Sequence, residues 1–126
     1  MSQFVDKDKT FPVSAAVTQY ALVTLANTGK VAVTGLAERP IGIAMEPAFA
    51  DADRIAVKLL NNSGTFPGIA KEALAIGATL YTEAAGKLQD TAEATSLPIG
   101  IAITAATAEN DLIEWVPLPY GGPAAS

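Results

Sequence analysis

One pentapeptide occurs twice in this chain. Pro40-Ile41-Gly42-Ile43-Ala44 returns as Pro98-Ile99-Gly100-Ile101-Ala102, at an offset of 58 (98 − 40). Held at that offset, residues 40–60 and 98–118 agree at 10 of 21 positions, among them Asp53/Asp111, Ile55/Ile113 and Leu60/Leu118. Upstream, Leu22-Val23-Thr24 aligns with Leu80-Tyr81-Thr82, and Phe11-Pro12 with Phe66-Pro67. Gly29-Lys30 aligns with Gly86-Lys87 after a slip of one residue. An internal repeat decides the architecture before any local propensity does. Two copies are too few for a solenoid. They suit a pseudo-twofold β structure in which each copy completes the other's core.

The division that follows is a single β domain over residues 11–118, with pseudo-repeats at 11–60 and 66–118. Residues 1–10 are polar and mixed in charge, with Phe4 and Val5 as the apolar anchors of a flexible arm. Residues 119–126 are rich in Pro, Gly and Ala and read as a tail. Both ends have the composition of segments that order on a partner.

Inside the domain, short apolar runs alternate with turn residues. Residues 20–25, the turn Asn27-Thr28-Gly29-Lys30 and residues 31–34 have hairpin grammar. Strands follow at 41–46 and 54–60, where Gly42 marks a bulge or a close backbone approach. The second copy repeats the order at 80–83, 88–89, 99–104 and 112–116. Pro117 and Pro119 keep the last strand from being central at its end. Residues 69–74 depart from this, with apolar side chains at 69, 70, 73 and 74 and good helix formers between them. That spacing predicts one short helix at most. The fold class expected is mainly β, a small barrel or sandwich.

Composition narrows the chemistry. The chain is 50% hydrophobic but 6% aromatic, so its core is built from alanine and branched aliphatics. Eight basic against 13 acidic residues, with no basic run, argue against nucleic acid, which needs a cationic face. Cysteine and histidine are both absent, which removes disulfides, thiolate nucleophiles, imidazole bases and the usual zinc sets. The first residues lack a basic stretch followed by an apolar run, and no stretch has the apolar length of a membrane span. The expectation is a soluble protein made in a cytoplasm, with no membrane partner.

Four features could carry chemistry. The repeated Pro-Ile-Gly-Ile-Ala could be a phosphate loop, but one glycine between isoleucines fits a strand crossed closely by another. Asp51 and Asp53, with Glu109 and Asp111 in the second copy, could gather calcium, but the spacing is not that of a calcium loop. Aspartate also favours turns for its own backbone bonds. A carboxylate hydrolase would draw on Asp53 and Asp111, yet no pair stands out and no nucleophile elbow is present. No catalytic, cofactor-binding or metal residue is assigned, and no cofactor is expected. Trp115, the one tryptophan, is a core residue or an interface anchor.

Three segments taken in order carry a resemblance. Gly77-Ala78-Thr79-Leu80-Tyr81 precedes Ala84-Ala85-Gly86-Lys87-Leu88, then Pro98-Ile99-Gly100-Ile101-Ala102, and Val57-Lys58-Leu59 matches a mid-chain strand. Over about residues 12–118 the chain resembles the capsid decoration, or cement, proteins of tailed bacteriophages. The resemblance implies a small β protein with no catalytic residues that binds the outside of an expanded capsid in many copies. Its partners would be the major capsid protein and itself, most often as a homotrimer and in other decoration proteins as a dimer. Its place would be the outer surface of the virion, after synthesis in the bacterial host cytoplasm. The alternative is a small carbohydrate- or ligand-binding β module using Trp115 and the tyrosines Tyr20, Tyr81 and Tyr120 as platforms.

Overall fold

The computed structural model describes residues 8–60 and 64–118. Among them are two antiparallel sheets, packed in a sandwich-like arrangement, and no helix. The first sheet holds β1 (Asp8–Pro12), β2 (Leu22–Leu25), β3 (Val31–Val33), β4 (Gly42–Ala44) and β5 (Arg54–Leu59), in the order β1-β5-β4-β2-β3. The second holds β6 (Phe66–Ile69), β7 (Thr79–Tyr81), β8 (Pro98–Ala102) and β9 (Leu112–Pro117), in the order β6-β9-β8-β7. Each sheet is therefore one copy of the repeat. β1, β5, β4 and β2 correspond to β6, β9, β8 and β7. The counterpart of β3 survives as isolated bridges, Tyr81 with Gln89 and Ala70 with Leu88.

Register refines the alignment of the two copies. Leu22 faces Ile43 and Val23 faces Gly42, while Thr79 faces Ile101 and Leu80 faces Gly100. Thr79 is thus the equivalent of Leu22, and Leu80 that of Val23. The match of Leu22-Val23-Thr24 to Leu80-Tyr81-Thr82 is off by one, which would have turned every side chain to the wrong face. The bridges Val13–Val31 and Ala70–Leu88 confirm an offset of 57 before the loop (70 − 13 and 88 − 31). The second copy carries its extra residue between Leu88 and Pro98, where Thr95 takes a φ of 69° that has no equivalent in the first copy. Phe11-Pro12 against Phe66-Pro67 is off by two. Phe11 faces Ile55, and it is Gly68 that faces Ile113.

Each copy has its own core. Val13, Val17, Ala21, Val23, Val31, Ala44, Ala48, Ile55 and Val57 form one cluster. Phe66, Leu74, Leu80, Leu88, Ile99, Ile113 and Trp115 lead the other, which also takes Leu22 and Ile43 from the first copy. The sharing expected between copies is therefore one-sided: the first copy contributes to the second's cluster, and its own cluster takes nothing in return.

The paired glycines have one cause. A Cβ on Gly42 would lie 2.5 Å from the Lys58 carbonyl oxygen and 2.6 Å from Val57 Cγ1. On Gly100 it would lie 2.4 Å from the Val116 carbonyl oxygen and 2.5 Å from Trp115 Cε3. Both serve close strand approach, and the phosphate-loop reading falls away. Trp115 is accommodated by a second glycine, Gly68, where a Cβ would stand 2.8 Å from Nε1. At the same sheet position the first copy has Phe11 beside the smaller Val57. The two copies fill one volume with opposite size orders.

Two expectations change. The helix over 69–74 does not form: Ile69 ends β6, and the Ala70, Lys71 and Leu74 amides donate to Asp111, Leu88 and Ala106 carbonyls far along the chain. Six residues gain too few internal bonds to nucleate a helix against that competition. Asp8, Lys9 and Thr10, expected in the arm, belong to β1 and pair with Lys58, Val57 and Ala56. Residues 1–7, Asn61-Asn62-Ser63 and 119–126 lie outside the described residues. Pro117 is paired with Gly100 on the β8 side only, because β6 begins opposite Trp115. The otherwise central β9 thereby tolerates a missing amide.

Candidate interaction surfaces

The acidic turns are built alike and are fully occupied. Asp53 Oδ2 accepts from the amides of Phe49 (2.9 Å) and Ala50 (3.1 Å). Asp111 Oδ2 accepts from the amides of Thr107 (2.9 Å) and Ala108 (3.2 Å) and from the Thr107 hydroxyl (3.0 Å). The Thr107 and Ala108 bonds hold the Asp111 carboxyl below the usual range. The neighbouring acids are paired: Lys30 Nζ stands 2.8 Å from Asp51, and Lys87 Nζ 2.9 Å from Glu109. Those lysines lower both carboxyls. Lys71 adds a second cation 3.6 Å from Glu109. Each carboxylate named for calcium or for hydrolysis is thus engaged in turn geometry or with lysine. Among the described residues no group of three or more His, Cys, Asp or Glu could hold a metal ion.

The larger difference between the copies lies on the outer faces of their sheets. In the first, Leu22 and Ile43 point away from their own cluster and are fully covered by the second copy. Tyr20, Met45 and Leu60 pack beside them. Polar contacts fasten the same junction. The Leu22 amide donates to the Gly86 carbonyl at 2.9 Å, the Thr82 hydroxyl to the Leu36 carbonyl, and Lys58 Nζ to the Thr65 carbonyl at 2.7 Å. Lys58 Nζ also lies 4.4 Å from the centre of the Phe66 ring, a cation–π contact.

The equivalent face of the second sheet is open. Thr79 replaces Leu22 and is exposed, Ile101 replaces Ile43 and is half-buried, and Ile103 replaces Met45 and is 42% exposed. Leu112 stands where the first copy has Arg54, and Val116 where it has Lys58. Leu112 is 58% exposed. An open groove of ≈ 390 Å³ runs beside it, lined by Thr65, Phe66, Pro67, Thr104, Ile113 and Glu114. The replacement of Arg54 and Lys58 by Leu112 and Val116 was visible in the sequence at the offset of 58, but that this strand face is open was not. Two further apolar side chains project from turns, Phe49 (82% exposed) and Ile76 (71% exposed), and no pattern in the sequence singled them out.

The residues named from sequence are distributed as follows. Trp115 is completely buried, 5.8 Å from the Phe66 ring centre, with Nε1 donating to the Pro67 carbonyl at 2.9 Å. Of the two roles open to it, core and interface anchor, the structure places it in the core, where it offers no platform to a sugar. Tyr20 and Tyr81 are half-buried. Phe4, Val5 and Tyr120 lie outside the described residues.

No family model matches this chain, and no curated protein does. Among solved structures, the chain is similar to the N base of the head fibre protein gp8.5 of bacteriophage phi29. The TM-score is 0.73 at 18% sequence identity, covering 91% of this chain and 96% of that one. Identity this low speaks for a shared fold.

Proposed function

We propose that the protein is a structural component of a phage head, attached to the outer surface of the expanded capsid and stabilising it. The observation that carries this reading is the near end-to-end fold match to the N base of a phage head fibre. The sequence resemblance to capsid decoration proteins supports it independently. The partners are the major capsid protein and further copies of this chain, and no catalysis is involved.

A mode of attachment follows from the position of β1.

 

β1 is an edge strand of the first sheet, and residues 1–7 precede it in the sequence. An arm continuing from an edge strand can add itself to the sheet edge of another protein. Phe4 and Val5 serve as its apolar anchors. Many copies on one lattice let a modest contact hold firmly, because each added contact works through multivalency and not through new chemistry.

The test is binding to purified heads by the full chain and by a chain lacking residues 1–7, which spares β1. The full chain is expected to bind saturably, and the shortened one to fold normally and bind more weakly. Unchanged affinity of the shortened chain would remove the arm from the mechanism. Failure of the folded full chain to bind would remove the capsid reading itself.

A further inference from the structure

The repeat turns the open face of the second sheet into a question with a specific answer. The first copy's outer face already has an occupant: the second copy. Its seat there includes Thr82 and Gly86, which meet the Leu36 carbonyl and the Leu22 amide. Gly86 is packed so tightly that an added Cβ would lie 2.7 Å from Val33 Cγ1. At the offset of 57, the equivalent positions in the first copy are Leu25 and Gly29 (82 − 57 and 86 − 57), with an apolar side chain in place of the Thr82 hydroxyl. This first-copy seat is empty. Leu25 is 44% exposed, and nothing lies within 4 Å of a Cβ built on Gly29, although Gly29 shares the left-handed backbone of Gly86 (φ +85° and +75°).

One chain therefore displays both halves of a contact it makes internally. The outward face is free on the second copy, and the receiving turn is free on the first. We propose that a second copy of this chain docks head to tail, its Leu25–Gly29 turn receiving the Ile101 and Ile103 face of its neighbour. The contact continues the internal copy-to-copy interface from one chain into the next. On this face Arg54 and Lys58 give way to Leu112 and Val116, while Glu114 stands at the position of Ala56 and takes the Thr65 hydroxyl, so two cations are exchanged for one anion at the edge of an apolar surface. A face meeting a different face is a heterologous contact, which closes into a ring when the rotation allows it. The inference concerns contact between chains and does not depend on the capsid reading.

The experiment is sedimentation velocity on the full chain and on two surface variants, Ile103→Asp and Leu25→Asp. Both side chains are exposed, and circular dichroism checks that each variant is folded. The wild type is expected to assemble, and each variant alone to be monomeric. Mixed together, the two variants are expected to form a dimer and nothing larger, because Leu25→Asp keeps an intact face and Ile103→Asp an intact seat. A wild type that stays monomeric when concentrated would overturn the proposal. So would variants that assemble as the wild type does, or a mixture that stays monomeric.

Discussion

The two copies share a strand order, a pair of close-approach glycines and a lysine–carboxylate pair, yet they are stabilised differently. The first is filled by small branched side chains around Val23, Val31, Ile55 and Val57, with Phe11 half-buried beside them. The second is built around two aromatic rings, Phe66 and Trp115, and gives up a side chain at Gly68 to admit them. The first spends its outer face on the second, and the second leaves its own face open. Duplication supplied one sheet twice, and divergence gave one copy an internal junction and the other an exposed surface.

Removing the aromatic centre should separate the copies most strongly. Trp115→Ala is expected to cost about 3–5 kcal/mol, the range for large aromatic truncations in a core. Val57→Ala at the equivalent position should cost about 1–3 kcal/mol, from the lost methyl groups and the small cavity left behind. Urea midpoints on both variants check the order, and equal losses would contradict the assignment of separate cores.

The glycines come next. Gly42→Ala and Gly100→Ala each force a Cβ against a strand carbonyl and should cost about 1–3 kcal/mol or more, as overpacking does. Gly29→Ala meets no neighbour and should lose only the cost of left-handed backbone, about 1–2 kcal/mol. Thermal unfolding of the three variants tests whether the close approach, and not the glycine itself, sets the penalty.

A smaller effect should have the opposite sign. Ala52 and Asn110 occupy the same turn position with φ of 72° and 75°. Asparagine tolerates that conformation better than alanine. Ala52→Asn should therefore stabilise by about 0.5–1 kcal/mol, and Asn110→Ala should reverse the gain. Both shifts can be read from denaturant midpoints.

The smallest effect expected is that of acid. Asp51, Glu109 and Asp111 are held below their ordinary values by Lys30, by Lys87 and by the Thr107 amide, respectively. A depressed carboxyl contributes stability above its unfolded value and loses it as pH falls through the folded one. Asp90, raised by its bond to Glu72, contributes in the other direction: its share is present in acid and lost as pH rises through its folded value. Glu72 is itself lowered by Asp90 and falls in with the first group. Stability should thus decline below the unfolded carboxylate range near 3.8–4.5, and the second copy, with Glu109 and Asp111 both depressed, should loosen first. Hydrogen exchange at two acidic pH values would show this as earlier loss of protection around residues 107–111 than around 49–53.

The β class, the repeat and most strands were legible in the sequence because period and turn chemistry are local. The Pro-Ile-Gly-Ile-Ala segments announced a close approach, and Asp53 and Asp111 announced turns. Register was not legible across the loop between Leu88 and Pro98, since one inserted residue there changes which side chains face inward. Residues 69–74 had helical spacing, but their amides were claimed by strands distant in sequence. Trp115 could not be placed from its type alone, because the glycine that makes room for it lies 47 residues away (115 − 68). The open outer face was hidden for a related reason: exposure depends on what the other copy covers.

The measurement that tests the proposed capsid attachment most directly is co-sedimentation of the full chain with purified, DNA-free expanded phage heads, with bound copies counted. Saturation at a fixed ratio to the major capsid protein is the predicted result, and the ratio would give the symmetry of the sites occupied. Folded protein that stays in the supernatant, or binding that rises without limit, would contradict it.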